Sequence, residues 1–163
     1  MIGRNKEQKE LLRLYHRNQP DFVAVYGRRR VGKTYLIDQT FKGKLTFRHA
    51  GLSPLEENSD NHLRAQLIQF QVSLQRNGMQ DPKIPENWQE AFFMLEQFLE
   101  SKKEERRLVV FLDELPWMDT KGSGFITALE GFWNNWGCYQ DNLLLIVCGS
   151  ASSWMVDNLI NNY

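Results

Sequence analysis

Two periodicities share this chain. Unbroken apolar runs of strand length stand at residues 22–26, 108–112 and 143–148, with a weaker one at 45–49. Such runs are expected where both faces of a parallel sheet are covered. Between them apolar residues recur at helical spacing. Leu11, Leu14 and Tyr15 predict a first helix over 6–17, with Asn5 and Gln8 as a capping box. Leu36, Ile37 and Phe41 stripe a second, closed by Gly43. Leu63, Leu67, Phe70 and Leu74 predict a helix over 60–77 ended by Gly78. A helix behind Asn87 and Glu90 turns Trp88, Phe92, Leu95 and Leu99 inward. Ser123 is the expected cap of a helix carrying Phe125, Leu129, Phe132, Trp133 and Trp136, closed by Gly137. A short helix over 154–159 follows the last strand. Strands alternating with helices predict a three-layer α/β domain with a mostly parallel sheet.

Composition narrows this picture. The 163 residues with 42% hydrophobic content suffice for one domain with a sizeable core. Lysine plus arginine and aspartate plus glutamate number 20 each, so no global field recruits nucleic acid or an anionic membrane. No apolar run reaches the roughly 20 residues of a membrane span, and the start of the chain lacks the apolar core of a signal peptide. Cys138 and Cys148 have neither metal-ligand nor redox spacing. A soluble, cytoplasmic protein is expected.

The chemistry concentrates after the first strand. Gly27-Arg28-Arg29-Arg30-Val31-Gly32-Lys33-Thr34 matches G-x-x-x-x-G-K-[ST], between a strand and a helix. Gly27 and Gly32 permit a loop whose amides converge on phosphate, and the helix N-terminus adds positive potential. Lys33 supplies a point charge for the β- and γ-phosphates, and the Thr34 hydroxyl is a magnesium ligand. The strand at 108–112 delivers Asp113 and Glu114 at its carboxyl end, the edge where a parallel sheet gathers its ligands. Asp113 is the second expected magnesium ligand and Glu114 the group that orients or deprotonates water. Ser150, beyond the fourth strand, occupies the place where ATPases that resemble this arrangement carry a polar residue contacting the γ-phosphate or that water, although it also suits a turn and helix cap. No N-K-x-D segment is present to read guanine, which favours adenine.

Ile2-Gly3-Arg4-x-x-Glu7, the glycine loop, Phe111-Leu-Asp-Glu-Leu-Pro-Trp117 and Cys148-Gly-Ser-Ala-Ser-Ser-Trp154 together resemble the archaeal-type ATPase family, a STAND-like branch of the AAA+ ATPases. The resemblance implies a P-loop NTPase fold of strand order 5-1-4-3-2, here without the fifth strand and helical lid. It makes residues 1–163 an ATPase core truncated at its C-terminus. It implies that Gly3 and Arg4 lie near adenine, and that Arg30, Val31 and Tyr35 join the glycine loop in holding ATP and Mg2+. The implied function is ATP binding and magnesium-dependent hydrolysis, driving a motor or switch for a C-terminal effector domain. The alternative is a non-catalytic, nucleotide-dependent interaction module, with DNA association suggested by the family's nuclease fusions. Without a fifth strand, the first strand is expected to be an open apolar edge that pairs with further chain or with a second copy. Trp117 and Trp154 are expected either to anchor their loops or to relay nucleotide state.

Overall fold

The computed structural model describes residues 5–26, 32–53, 59–150 and 152–160. Strands β1 (Asp21–Tyr26), β2 (Phe47–Ala50), β3 (Leu108–Asp113) and β4 (Leu143–Gly149) form one parallel sheet in the order β1-β4-β3-β2. This is the expected order with the fifth strand left out. Helices α1 (Asn5–His16) and α2 (Lys33–Thr40) cover one face, where Leu11, Leu14, Leu36, Ile37 and Phe41 meet Val109, Phe111, Leu144 and Ile146. Helices α3 (Ser59–Arg76), α4 (Trp88–Ser101) and α6 (Phe125–Asn135) cover the other, against Val110, Leu112, Leu145 and Val147. Alternate residues of β3 and β4 therefore serve opposite cores, which is why these strands contain no polar position until Asp113. Between β3 and α6 lies the single turn α5 (Leu115–Met118), and after β4 the turn α7 (Ser152–Met155) runs into a π-helical turn, Val156–Ile160.

Several boundaries differ from the sequence reading. α1 already includes Asn5 instead of starting after it. β2 starts at Phe47, because the Thr46 side chain substitutes for regular pairing. Its Oγ1 accepts from Val109 N–H at 3.1 Å while its own N–H donates to Val109 C=O at 2.8 Å. Asn87 does cap α4, accepting from Glu90 N–H at 2.8 Å, but the Glu90 carboxylate returns to Glu86 N–H, one residue before the expected partner. Ser123 is not the cap of α6. That position belongs to Gly124 at φ 72°, and Ser123 Oγ accepts from Phe125 N–H at 3.2 Å. Gly137 opens a 3-10 turn, Gly137–Tyr139; a Cβ there would lie 2.8 Å from the Trp133 ring.

The two sheet edges are treated differently. β1 is an edge strand whose Phe22, Val23, Ala24 and Val25 are half-buried and whose Tyr26 is exposed. On the other edge α3 clips β2. Asn77, just past α3, accepts from Arg48 N–H at 3.2 Å and donates to Arg48 C=O at 3.1 Å. Gln66, fully buried on α3, accepts from Leu52 N–H at 3.1 Å and donates to Leu52 C=O at 2.8 Å. Each carboxamide thus supplies the donor and acceptor that a neighbouring strand would present.

At the amino ends of the strands, Arg107 is a buried staple. Its guanidinium reaches Asp21 Oδ2 at 2.8 Å and the carbonyls of Leu14, Gln19 and Asp141 at 2.9, 2.7 and 3.3 Å. Burial lowers its pKa, opposed by the Asp21 charge.

Candidate functional site

At the carboxyl ends of β3 and β4 the two sequence motifs meet. Gly32 takes φ 79°, the left-handed conformation that admits glycine cheaply, and α2 begins at the next residue. Lys33 is buried and Thr34 lies one residue on, so the first turn of α2 carries both toward the strand ends. Thr34 Oγ1 donates to Asp113 Oδ2 at 2.7 Å, across 79 positions of sequence. The other oxygen, Asp113 Oδ1, accepts from Glu114 N–H at 2.8 Å. Asp113 is 5% exposed, so its carboxylate is held at both oxygens in a nearly dry position.

Glu114 adopts φ 52°, ψ 46°, a left-handed conformation uncommon outside glycine. The turn is held from several sides. Trp117 N–H donates to Glu114 C=O at 3.1 Å, and Gly51 N–H donates to Asp113 C=O at 3.0 Å. Gly51 packs so closely that a Cβ on it would lie 2.7 Å from the Glu114 carbonyl oxygen. Gly149 has the same function on the β4 side, where a Cβ would lie 2.6 Å from Pro116 Cδ. Beyond α5, Asp119 Oδ2 accepts from Trp154 Nε1 at 2.9 Å, tying the segment after β4 to the segment after β3. Trp154 thus anchors one site loop to the other.

A cavity of about 290 Å³ opens here, lined by Gly32, Lys33, Thr34, Tyr35, Asp113, Glu114, Gly149 and Ser150. It brings together seven residues the sequence had singled out: Gly32, Lys33, Thr34, Tyr35, Asp113, Glu114 and Ser150. Gly3, Arg4, Gly27, Arg30 and Val31 lie outside the described residues. Cys148 adjoins Asp113, and burial first, then the Asp113 charge, pushes its thiol up to about 12, so it stays protonated at neutral pH. A second groove, of about 320 Å³ between α4 and α6, holds Phe93 and Glu96, whose pKa is raised by burial and by Glu100. It lacks the lysine and the paired carboxylates that converge in the first.

Sequence reasoning missed Gly51 and Gln66, which support the Asp113–Glu114 turn without lining the cavity. One signal was available for Gln66: with Ser73 and Asn77 it forms a polar stripe beside the apolar stripe of α3, at spacings of seven and four residues.

A parallel sheet with a strand-loop-helix lysine and an acidic strand end at one cavity defines a P-loop nucleotide-binding domain. Residues 1–162 match the family described as an ATPase domain predominantly from Archaea, and the chain belongs to that family. Among solved structures it resembles the Walker-type ATPase PABY2304 of Pyrococcus abyssi, with 18% identity and TM-score 0.63 over 100% of this chain and 49% of that one. It also resembles the ORC2 protein of Aeropyrum pernix in its ADPNP–ADP complexes, with 18% identity and TM-score 0.64 over 99% of this chain and 45% of that one. This chain therefore spans about half the length of the solved structures it matches. No curated protein matches it in sequence. It is a nucleotide-binding ATPase domain with a four-stranded parallel sheet, and no described helix is long and apolar enough to cross a membrane.

Proposed function

We propose that the chain binds ATP with magnesium and hydrolyses it, as the nucleotide-driven part of a larger motor or switch. The observation that carries this reading is the Thr34–Asp113 hydrogen bond, which unites the glycine-loop helix and the acidic strand end at one cavity beside Lys33 and Glu114. A hydroxyl and a carboxylate this close are hard oxygen donors of the kind magnesium takes. An ion held by these two donors would draw its other ligands from phosphate and water. When bound, that ion would neutralise charge on the transferred phosphoryl group.

The protein's own groups divide the remaining work. Lys33 would place its ammonium against the phosphates, with Gly32 and the amides of the α2 N-terminus beside it. Glu114 would orient the attacking water and accept its proton, and Ser150 would hydrogen-bond the γ-phosphate or that water. Tyr35, exposed at the rim, would cover the nucleotide from the α2 side. Gly27, Arg30, Val31, Gly3 and Arg4 retain their proposed roles around phosphate and adenine. The edge of β1 is the proposed contact for additional chain, an effector or a second copy.

The test pairs two variants. Lys33→Ala should weaken magnesium-dependent ATP binding in a calorimetric titration, whereas Glu114→Gln should keep binding and lose turnover by a hundredfold or more on the order expected for removing a catalytic base. Turnover by Glu114→Gln at the parental rate removes Glu114 from the chemistry. Tight binding without turnover in the parent itself replaces hydrolysis by a binding switch.

A further inference from the structure

Gln66 reaches beyond the edge of β2. Its Nε2 donates to Leu52 C=O at 2.8 Å and also lies 3.2 Å from Trp117 C=O and 3.2 Å from His62 Nε2. The amide orientation is dictated by its partners, because Leu52 N–H can only donate and two backbone carbonyls can only accept. Three acceptors, Leu52 C=O, Trp117 C=O and His62 Nε2, thus share the two hydrogens of this amide, with the Leu52 carbonyl the nearest. The side chain is fully buried in the crevice between the exit of β2, α3 and α5.

From this carboxamide a closed circuit of backbone bonds runs to the site. Gln66 holds Trp117 C=O, and Trp117 N–H holds Glu114 C=O at 3.1 Å. In the other direction Gln66 holds both polar groups of Leu52, and the preceding Gly51 N–H holds Asp113 C=O at 3.0 Å. Asp113 and Glu114 are consecutive and are joined again by the Oδ1–N–H bond at 2.8 Å. Glu114 is the residue in the strained left-handed conformation, which persists only if its surroundings over-determine it.

We propose that Gln66 is a positioning residue for Glu114: it fixes the turn that aims the carboxylate, through Trp117 on one side and Leu52 on the other. It touches no nucleotide and contributes nothing to phosphate binding. The proposal rests on the hydrolytic reading above for its effect on turnover, but not for its effect on the turn. Gln66→Met keeps the side-chain volume and removes both hydrogen-bonding functions, leaving Leu52 N–H, Leu52 C=O and Trp117 C=O without this partner. Gln66→Glu keeps the acceptor for Leu52 N–H and sets a carboxylate against two carbonyls.

The experiment uses the full chain and three readouts: steady-state ATP turnover, the dissociation constant for magnesium-ATP, and amide hydrogen exchange resolved to single residues. Both variants should lower kcat about tenfold to a hundredfold, as expected for sub-ångström to ångström misplacement of a catalytic group, with the dissociation constant within about twofold of the parent. Exchange should accelerate at the amides of Gly51, Glu114 and Trp117 and stay unchanged in α2. Parental kcat with unchanged exchange at those amides overturns the proposal, and so does a parallel loss of kcat and affinity with exchange raised throughout the sheet. Should the parent not hydrolyse ATP, the hydrolytic reading fails, and exchange at Glu114 and Trp117 alone decides the role of Gln66.

Discussion

Gly51→Ala is the sharpest single perturbation of the site, because it adds one methyl group and nothing else. Gly51 has no positive φ, so alanine meets no backbone penalty of its own. The added Cβ would lie 2.7 Å from the Glu114 carbonyl oxygen and 3.0 Å from Met118 Cγ, whereas ordinary contact starts at 3.4 Å. About 0.7 Å must therefore be recovered, and the closest atom is backbone rather than the end of a flexible side chain. Overpacking of this kind costs about 1–3 kcal/mol. In a chain of this size 2 kcal/mol lowers Tm by about 4–8 °C. The Glu114 peptide takes most of the displacement, since Gly51 is held to Asp113 C=O by its own N–H. A shift approaching 1 Å in a positioned group can cost about a hundredfold in rate, so kcat should fall about tenfold to a hundredfold while ATP binding through α2 stays near the parental value. Thermal melting and a coupled phosphate-release assay read the two effects. A variant with parental Tm and kcat would show that the Asp113–Glu114 turn accommodates the methyl group freely, and the argument for a rigidly held Glu114 would fall.

Two further predictions concern stability. His49 is fully buried with Nδ1 against Ser73 Oγ at 2.7 Å, and burial lowers its pKa from 6.5 to about 3. The unfolded chain then binds the extra proton between those values, so stability is complete above pH 6.5 and falls as pH drops toward 3, by about 2–3 kcal/mol between pH 7.5 and 4.5; urea melts should show that slope in the parent, and a flatter one in His49→Gln. Arg107→Met strips Asp21 of one partner and the Leu14, Gln19 and Asp141 carbonyls of theirs, and should cost about 3–5 kcal/mol in denaturant unfolding, with ATP affinity unchanged in the folded protein because the staple sits at the other end of the sheet.

Much of this is legible in the sequence. The buried strands β3 and β4 are apolar up to Asp113 and Gly149, so their parallel setting and the position of Asp113 at a strand end followed from pattern alone, each strand running one residue beyond its apolar run. Lys33, Thr34 and Asp113 could be singled out because phosphate chemistry constrains residue type and spacing in ways that chance rarely imitates. What pattern could not supply were contacts made by backbone. Gly51 is an ordinary loop glycine in sequence, and only the approach of the Glu114 carbonyl reveals why no Cβ fits there. Gln66 shares a polar stripe with Ser73 and Asn77 in the sequence, but only the helix lying along the edge of β2 shows which backbone groups it meets. The Ser123 cap failed for a related reason: Gly124 reaches the left-handed conformation without cost, and the helix starts one residue later than the hydroxyl suggested.

The unequal borders of the sheet give the domain a built-in direction of growth. Asn77 and Gln66 occupy hydrogen-bonding groups of Arg48 and Leu52 that an incoming strand beside β2 would need, so docking there would first require prising α3 away. The opposite border is β1, which pairs with β4 on its inner side. A strand added beside β1, be it more of the same polypeptide or a neighbour, would run next to the strand that leads into the glycine loop and would meet no need to displace α3.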